Sequence, residues 1–426
     1  MAELNRREFT KFAGAAVAAV SYFNRVAYAQ GKGRVVVIGG GAGGATVAHH
    51  VKKGAPALDV TLIEVQPKYT SCFFSNLYLG GFRSFQSITH DYSGLEKLGV
   101  KVVHDLANVV DTAKRSVTLK GGDTMGYDKL VLSPGIDLKY DSIEGYSAEA
   151  AQKMPHAWQA GAQTTLLRQK LTDIEDGGLF ILAAPPNPYR CPPGPYERAS
   201  MVAHYLKNHK PSSKLLLLDP KRKFSKQSLF EEGWQEHYEN IIELRLTNEI
   251  DDNRVVRVDP NTMEIETAGG ERIKAAVANI VPAQKAGQIA DKAGCTEGDW
   301  CPVDPASFES KLVNDVYVLG DASVATKMPK SAFSANSQAK VVVNDILSKL
   351  AEKKRFPARY RNTCWSLIST NNSVKVGASY TAGKDAVDVV SKFVSKTGED
   401  AALRAQTYQE SVGWYAGITA DIFAKA

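Results

Sequence analysis

The 426-residue chain lacks the marks of several functional classes. Its eight histidines include no H-E-x-x-H, and its cysteines form neither C-x-x-C nor C-x-x-C-H. A zinc-hydrolase helix, a metal centre of common spacing and a haem attached to this chain are therefore not expected. No apolar run reaches the ~18 residues of a bilayer span, so no stable membrane anchor is expected. The 52 basic residues outnumber 46 acidic ones only slightly and are scattered. The densest run, Lys221-Arg222-Lys223, follows a predicted strand and reads as a solvated turn, so nucleic acid is not an expected partner. Cysteine itself is scarce at five. An odd number in an exported chain leaves one thiol outside any intrachain disulfide.

What is present begins with an address. Arg6-Arg7 and Phe9, an apolar stretch from Phe12 to Phe23, and Ala27-Tyr28-Ala29 describe a signal peptide over residues 1–29. The paired arginines resemble a twin-arginine leader, although Thr10 stands where Leu is commoner. The expected location is therefore the periplasm, reached by the route that exports folded proteins. In such an oxidising compartment disulfides persist.

Residues 34–64 carry a dinucleotide fingerprint. The buried-strand run Arg34–Ile38 is followed by Gly39-x-Gly41-x-x-Gly44, helical sequence from Ala45 to Lys53, and a second strand ending at Glu64. Gly39 permits the tight turn, Gly41 lets the pyrophosphate approach the backbone, and Gly44 lets helix and strand pack closely. The helix N-terminus favours the phosphates, and Glu64 suits the ribose hydroxyls. A second apolar strand ends in Gly320-Asp321, where an acidic side chain can hold the ribityl chain of a flavin. With Tyr127–Gly135 closing the first segment, these features favour FAD.

A second lobe echoes the first. Residues 109–135 and 256–282 share a turn, a hairpin and an apolar strand ending at Pro. Yet after the strand beginning at Leu179, where another G-x-G-x-x-G would hold NADH, the chain runs P-P-N-P-Y-R-C-P-P-G-P from Pro185 to Pro195. Proline removes backbone N–H donors and stiffens the loop. Nicotinamide binding is therefore not expected. Cys191 stands on this loop; it reads either as an inert thiol or as one facing the flavin. Glu197 reads either as a solvated first-turn carboxylate or as a proton carrier.

The joint pattern resembles the flavoprotein subunit of flavocytochrome c sulfide dehydrogenase. It is carried by the twin-arginine leader, GGGAGG at 39–44, Cys72 in T-S-C-F-F-S, Cys191 in the proline loop, Cys364 in N-T-C-W, and VLGDAS at 318–323. The resemblance implies an α/β fold with two Rossmann-like domains and a C-terminal α+β interface domain. The FAD domain would be discontinuous, over 33–144 and 286–352. The second lobe would span 145–285 without an NAD site, and the interface domain 353–426. By position, Cys72 would bond covalently to FAD, Cys191 and Cys364 would form a redox-active disulfide, and Glu197 would stand beside it. Cys295 and Cys301 match no catalytic position and read as a local structural disulfide or a metal pair.

The implied activity is oxidation of hydrosulfide to zero-valent sulfur. A thiolate-type nucleophile attacks the disulfide, and electrons leave to a haem on a c-type cytochrome partner. Two other readings compete. One is a sulfide:quinone reductase of the same fold; the other is a non-catalytic exported flavin electron carrier whose cysteines are all structural.

Overall fold

Val35, Val36, Val37 and Ile38 are buried almost completely, as a parallel strand covered on both faces requires. This strand, Arg34–Ile38, lies at the centre of a five-stranded sheet. It pairs in parallel with Asp59–Ile63 on one side and Lys129–Leu132 on the other. Lys101–Val103 and Val316–Val318 add parallel strands at the two edges. The helices Gly44–Gly54 and Ala332–Leu350 pack against one another beside the sheet. The computed structural model describes residues 33–248 and 252–425, so the expected signal peptide lies outside the described residues.

A second, four-stranded parallel sheet runs in the order Ile242–Leu246, Lys214–Asp219, Leu179–Ala183, Val277–Ile280. The internal echo has a structural basis. Ala107–Asp111, Ser116–Leu119 and Thr124–Gly126 form an antiparallel meander that precedes the strand Lys129–Leu132. Val255–Asp259, Glu264–Thr267 and Arg272–Lys274 form another before Val277–Ile280.

The C-terminal unit is an antiparallel sheet of Arg359–Ser369, Asn372–Ala382 and Val387–Val394, followed by the helix Ala401–Phe423. The architecture is thus α/β, with two Rossmann-like sheets and a C-terminal α+β unit. The last helix was not legible as one. It buries Arg404, Thr407, Ser411 and Thr419 beside its apolar residues, which erases the apolar stripe. Asp400 caps it by accepting from the Leu403 N–H at 2.8 Å.

This layout sets the functional region. Gly39, Ser133 and Gly320 follow the carboxyl ends of neighbouring strands, where open α/β sheets bind ligands. The loop after Leu179–Ala183 carries Cys191, and the first C-terminal strand brings Cys364 against the helix Gly194–His209.

Leu130 is fully buried on a strand flanked by two parallel partners. Leu130→Ala is expected to cost about 2–5 kcal/mol through lost burial and a residual cavity. Denaturant unfolding checks this, and a cost well under about 1 kcal/mol would show that the sheet centre relaxes around the gap.

Candidate active site

Cys191 adopts φ +61°, in the left-handed region that a β-carbon disfavours. Its N–H donates to the Lys330 carbonyl at 2.8 Å, and its own carbonyl accepts from Gly194 N–H at 2.8 Å. The Lys330 ammonium donates to the carbonyls of Asp321 and Ser323 at 2.7 and 2.8 Å and lies over the Trp300 ring. The proline loop is thereby tied to the Gly320-Asp321 turn.

Glu197 falls in the first turn of the helix Gly194–His209. It is not solvated. Its carboxylate accepts from Asn76 Nδ2 at 2.9 Å and from the Leu367 N–H at 3.0 Å. Burial nevertheless raises its pKa above the ordinary value. The neighbouring Arg198 is 2 % exposed and donates to Asn76, His156, Asn279 and Ala157. Burial lowers its pKa to about 9, which leaves it a cation at neutral pH.

Cys72, Cys191, Cys364 and Glu197 line one cavity of about 910 Å³. Phe333, Trp365 and Trp414 form an aromatic wall, with Phe333 and Trp414 stacked at 5.9 Å between centroids. A neighbouring cleft of about 1300 Å³ is lined by Gly39, Gly41, Glu64, Gly320 and Asp321. Cys72 and Arg190 border both spaces. Burial raises the pKa of both the Cys191 and the Cys364 thiols. All five cysteines are free thiols in this structure, so neither the Cys191–Cys364 nor the Cys295–Cys301 bond is made in it. Cys295 and Cys301 are buried outside both spaces, and burial pushes the Cys301 thiol up to about 12.

The cleft fits a flavin dinucleotide. A Cβ on Gly39 would lie 2.3 Å from the Ser133 carbonyl oxygen, and one on Gly44 would lie 2.0 Å from the Gly39 oxygen. Only glycine permits those approaches. The helix that follows starts with no side-chain cap, leaving its N-terminus to the cleft. Glu64 accepts from Gly40 N–H at 2.7 Å at the cleft wall. Asp321 Oδ1 is buried with no hydrogen-bond partner, an acceptor suited to a ribityl hydroxyl.

The second lobe is closed as well as proline-rich. Asp219 ends the strand Lys214–Asp219, as Glu64 follows its counterpart in the first lobe. It accepts from Tyr196 OH at 2.6 Å and pairs with the Lys221 ammonium at 2.6 Å, which also donates to the Pro185 carbonyl. The run containing Lys221 is therefore not wholly a solvated turn: Lys221 turns inward, while Arg222 and Lys223 are exposed.

Residues 164–282 match the family model described as the central part of the sulfide dehydrogenase [flavocytochrome c] flavoprotein chain. Residues 356–423 match the flavin-binding model of flavocytochrome c sulphide dehydrogenase, and 33–173 that of pyridine nucleotide-disulphide oxidoreductases. Over 46 residues the chain is 48% identical to the sulfide dehydrogenase [flavocytochrome c] flavoprotein chain of Chlorobaculum thiosulfatiphilum, covering 11% of this chain and 96% of that sequence. This chain belongs to that flavoprotein family. The family binds a flavin and oxidises sulfide. A mitochondrial sulfide:quinone oxidoreductase of Dictyostelium discoideum is 23% identical over 337 residues, 74% of this chain and 70% of its own. The solved sulfide:quinone oxidoreductase of Aquifex aeolicus shares the fold at TM-score 0.68 and 18% identity, over 92% of this chain and 93% of its own.

Several of the site's polar residues had no sequence signal. Asn76 and Arg198 sit on helices where a polar side chain reads as surface, and Lys226 lies just beyond the run Lys221–Lys223 with no mark of its own. His49, His50 and Asp421 bring their ligand-type atoms within 4.8 Å of one another. Each already has a partner: His50 Nε2 and Asp421 Oδ1 are 2.9 Å apart, while Asn336 donates to Oδ2 at 2.7 Å. The group fastens the C-terminal helix to the fingerprint helix.

Gly44→Ala is expected to yield protein without flavin absorbance, because the new methyl collides with fixed backbone. Visible spectroscopy of the purified variant checks this, and a fully yellow variant would contradict it.

Proposed function

We propose that the protein is an exported sulfide dehydrogenase of the flavocytochrome c type, with FAD bonded covalently at Cys72, a redox-active Cys191–Cys364 pair and a c-type cytochrome partner. One observation carries this reading. Cys72, Cys191, Cys364 and Glu197, drawn from three separate chain segments, line a single cavity joined to the dinucleotide cleft.

The residues divide the work. The glycines of 39–44, Glu64 and Asp321 hold the dinucleotide, and Cys72 stands where the two spaces meet. When bound, FAD supplies a two-electron acceptor able to pass electrons on singly. Hydrosulfide, substantially ionised at neutral pH, opens the disulfide to give a persulfide on one cysteine and a thiolate on the other. The aromatic wall excludes water, which otherwise hydrates the anions. Glu197 accepts the proton of the attacking sulfur, held in place by Asn76 and the Leu367 N–H. With the Asp219 site filled from within, electrons enter from sulfur rather than from NADH.

Export by the twin-arginine route matches a protein that binds its flavin before leaving the cytoplasm. A sulfide:quinone reductase is the second reading, favoured by relatives that match over most of this chain. No helix among the described residues is long and apolar enough to cross a membrane. Reduction of added cytochrome c against reduction of a quinone analogue separates the two.

Anaerobic sulfide is expected to bleach the flavin of the wild-type protein, and Cys191→Ser or Cys364→Ser to abolish the bleaching. Bleaching that survives in both variants would overturn the disulfide reading, and none in the wild type would leave only a passive carrier. Glu197→Gln is expected to slow bleaching by roughly 10²–10⁴-fold, the usual contribution of a positioned proton acceptor. Since burial raises the Glu197 pKa, the wild-type rate should fall as pH drops through a value above the ordinary carboxylate range. A stopped-flow pH profile checks this limb, which Glu197→Gln should lack.

A further inference from the structure

The two cysteines have unequal surroundings. Cys364 Sγ receives the Asn362 amide, with Nδ2 at 3.4 Å. That amide is oriented by Ser331, whose hydroxyl donates to Asn362 Oδ1 at 2.6 Å while its oxygen accepts the Ser334 N–H that caps the next helix. Asn362 thus offers its N–H₂ to the sulfur, while the Cys364 thiol in turn faces Asn362 Oδ1 at 3.8 Å. Behind Cys364 lies the Lys226 ammonium, 8 % exposed. It donates to the Cys364 carbonyl at 3.2 Å and to Ser366 Oγ at 2.7 Å. Among the described residues no carboxylate lies within ion-pair distance of it. Its hydrogen-bond partners are neutral; Cys364 and, at longer range, the Glu197 carboxylate are the foremost charges that act on it, and such an anion offsets the cost of burying an ammonium.

Cys191 has no matching donors. Among the described residues no hydrogen bond reaches its sulfur. It precedes the helix Gly194–His209, whose positive end would ordinarily favour a thiolate. But Pro192, Pro193 and Pro195 carry no N–H, and the N–H of Gly194 is spent on the Cys191 carbonyl. Arg190 is engaged by the Trp158 carbonyl and the Asp321 carboxylate.

We propose that Asn362 and Lys226 are positioning residues that make Cys364 the departing thiolate, so that hydrosulfide attacks Cys191. In disulfide exchange the sulfur better stabilised as an anion leaves faster. The step balances. The electron pair of HS⁻ forms a bond to Cys191 Sγ, the Cys191–Cys364 bond breaks, and its electron pair leaves on Cys364 Sγ. Cys191 becomes a persulfide, Cys364 a thiolate, and the persulfide proton can pass to Glu197. Burial lowers the Lys226 pKa to about 8, so the ammonium is largely charged at neutral pH. The proposal rests on the disulfide reading above.

The test mixes the oxidised holoprotein with one equivalent of sulfide under anaerobic conditions, quenches with an alkylating agent and maps the persulfide by peptide mass spectrometry. The persulfide is expected on Cys191. Asn362→Leu should slow flavin bleaching by roughly 10- to 100-fold, the worth of one hydrogen bond to a charged group, and Lys226→Met should slow it by removing the positive charge behind Cys364. They should also move part of the persulfide to Cys364, with Lys226→Arg restoring most of the rate. A merely structural role would lower thermal stability without moving the label. Removing the buried charge at Lys226 should leave stability unchanged or raised. A persulfide on Cys364 in the wild type overturns the assignment and leaves the disulfide reading intact, as do variants with wild-type rates and labelling. Bleaching with no persulfide on either cysteine overturns the disulfide reading, and the assignment with it.

Discussion

The placement of the cavity's cysteines and Glu197 rests on one buried guanidinium. Arg198 makes four hydrogen bonds to three parts of the chain: Asn76 beside the Cys72 segment, the adjacent carbonyls of His156 and Ala157, and Asn279 on the second sheet. Asn76 then donates to Glu197, which accepts the Leu367 N–H of the C-terminal sheet. Through two side chains and a backbone amide, the flavin lobe, the second lobe and the C-terminal unit meet at one point. A buried cation persists only where its donors are satisfied. The network is costly to break and specifies a single arrangement of Cys72, Cys191 and Cys364 around the cavity.

A second constraint is the filling of the old nucleotide site. In the first lobe Glu64 opens on a cleft; in the second, Asp219 is consumed by Lys221 and Tyr196, and Phe224 stacks on Tyr196 at 3.6 Å. The proline loop occupies the space that a glycine turn leaves to a pyrophosphate, and it carries a cysteine in its place. Two similar parallel sheets thus carry different groups at equivalent strand ends, a dinucleotide cleft on one and a cysteine-bearing proline loop on the other. The difference lies in a few residues at the carboxyl ends of equivalent strands.

Much of this was legible in the sequence because the signals are local. The strand at 34–38, the glycines of 39–44 and the Gly320-Asp321 turn each demand a specific backbone, and the contexts of Cys72, Cys191 and Cys364 are distinctive. The rest depended on contacts between distant segments. Nothing near Arg198 marks it as buried, and the helix 401–423 hides its buried face among Arg404, Thr407 and Ser411. Lys221 falls in a run that reads as a solvated turn yet points inward, and Lys226, just beyond it, is buried too. Trp414 lines the cavity and stacks on Phe333, a contact between distant segments. Charge runs and helix polarity describe averages over a segment, whereas burial is decided one side chain at a time.

The central claim is that three cysteines serve one flavin site in two different covalent roles. A non-reducing peptide map of the isolated, oxidised holoprotein tests it most directly. The expected map shows flavin on the peptide containing Cys72 and a single cross-linked fragment joining the Cys191 and Cys364 peptides. A map in which Cys72, Cys191 and Cys364 all alkylate as free thiols, with the flavin released on acid precipitation, would contradict it.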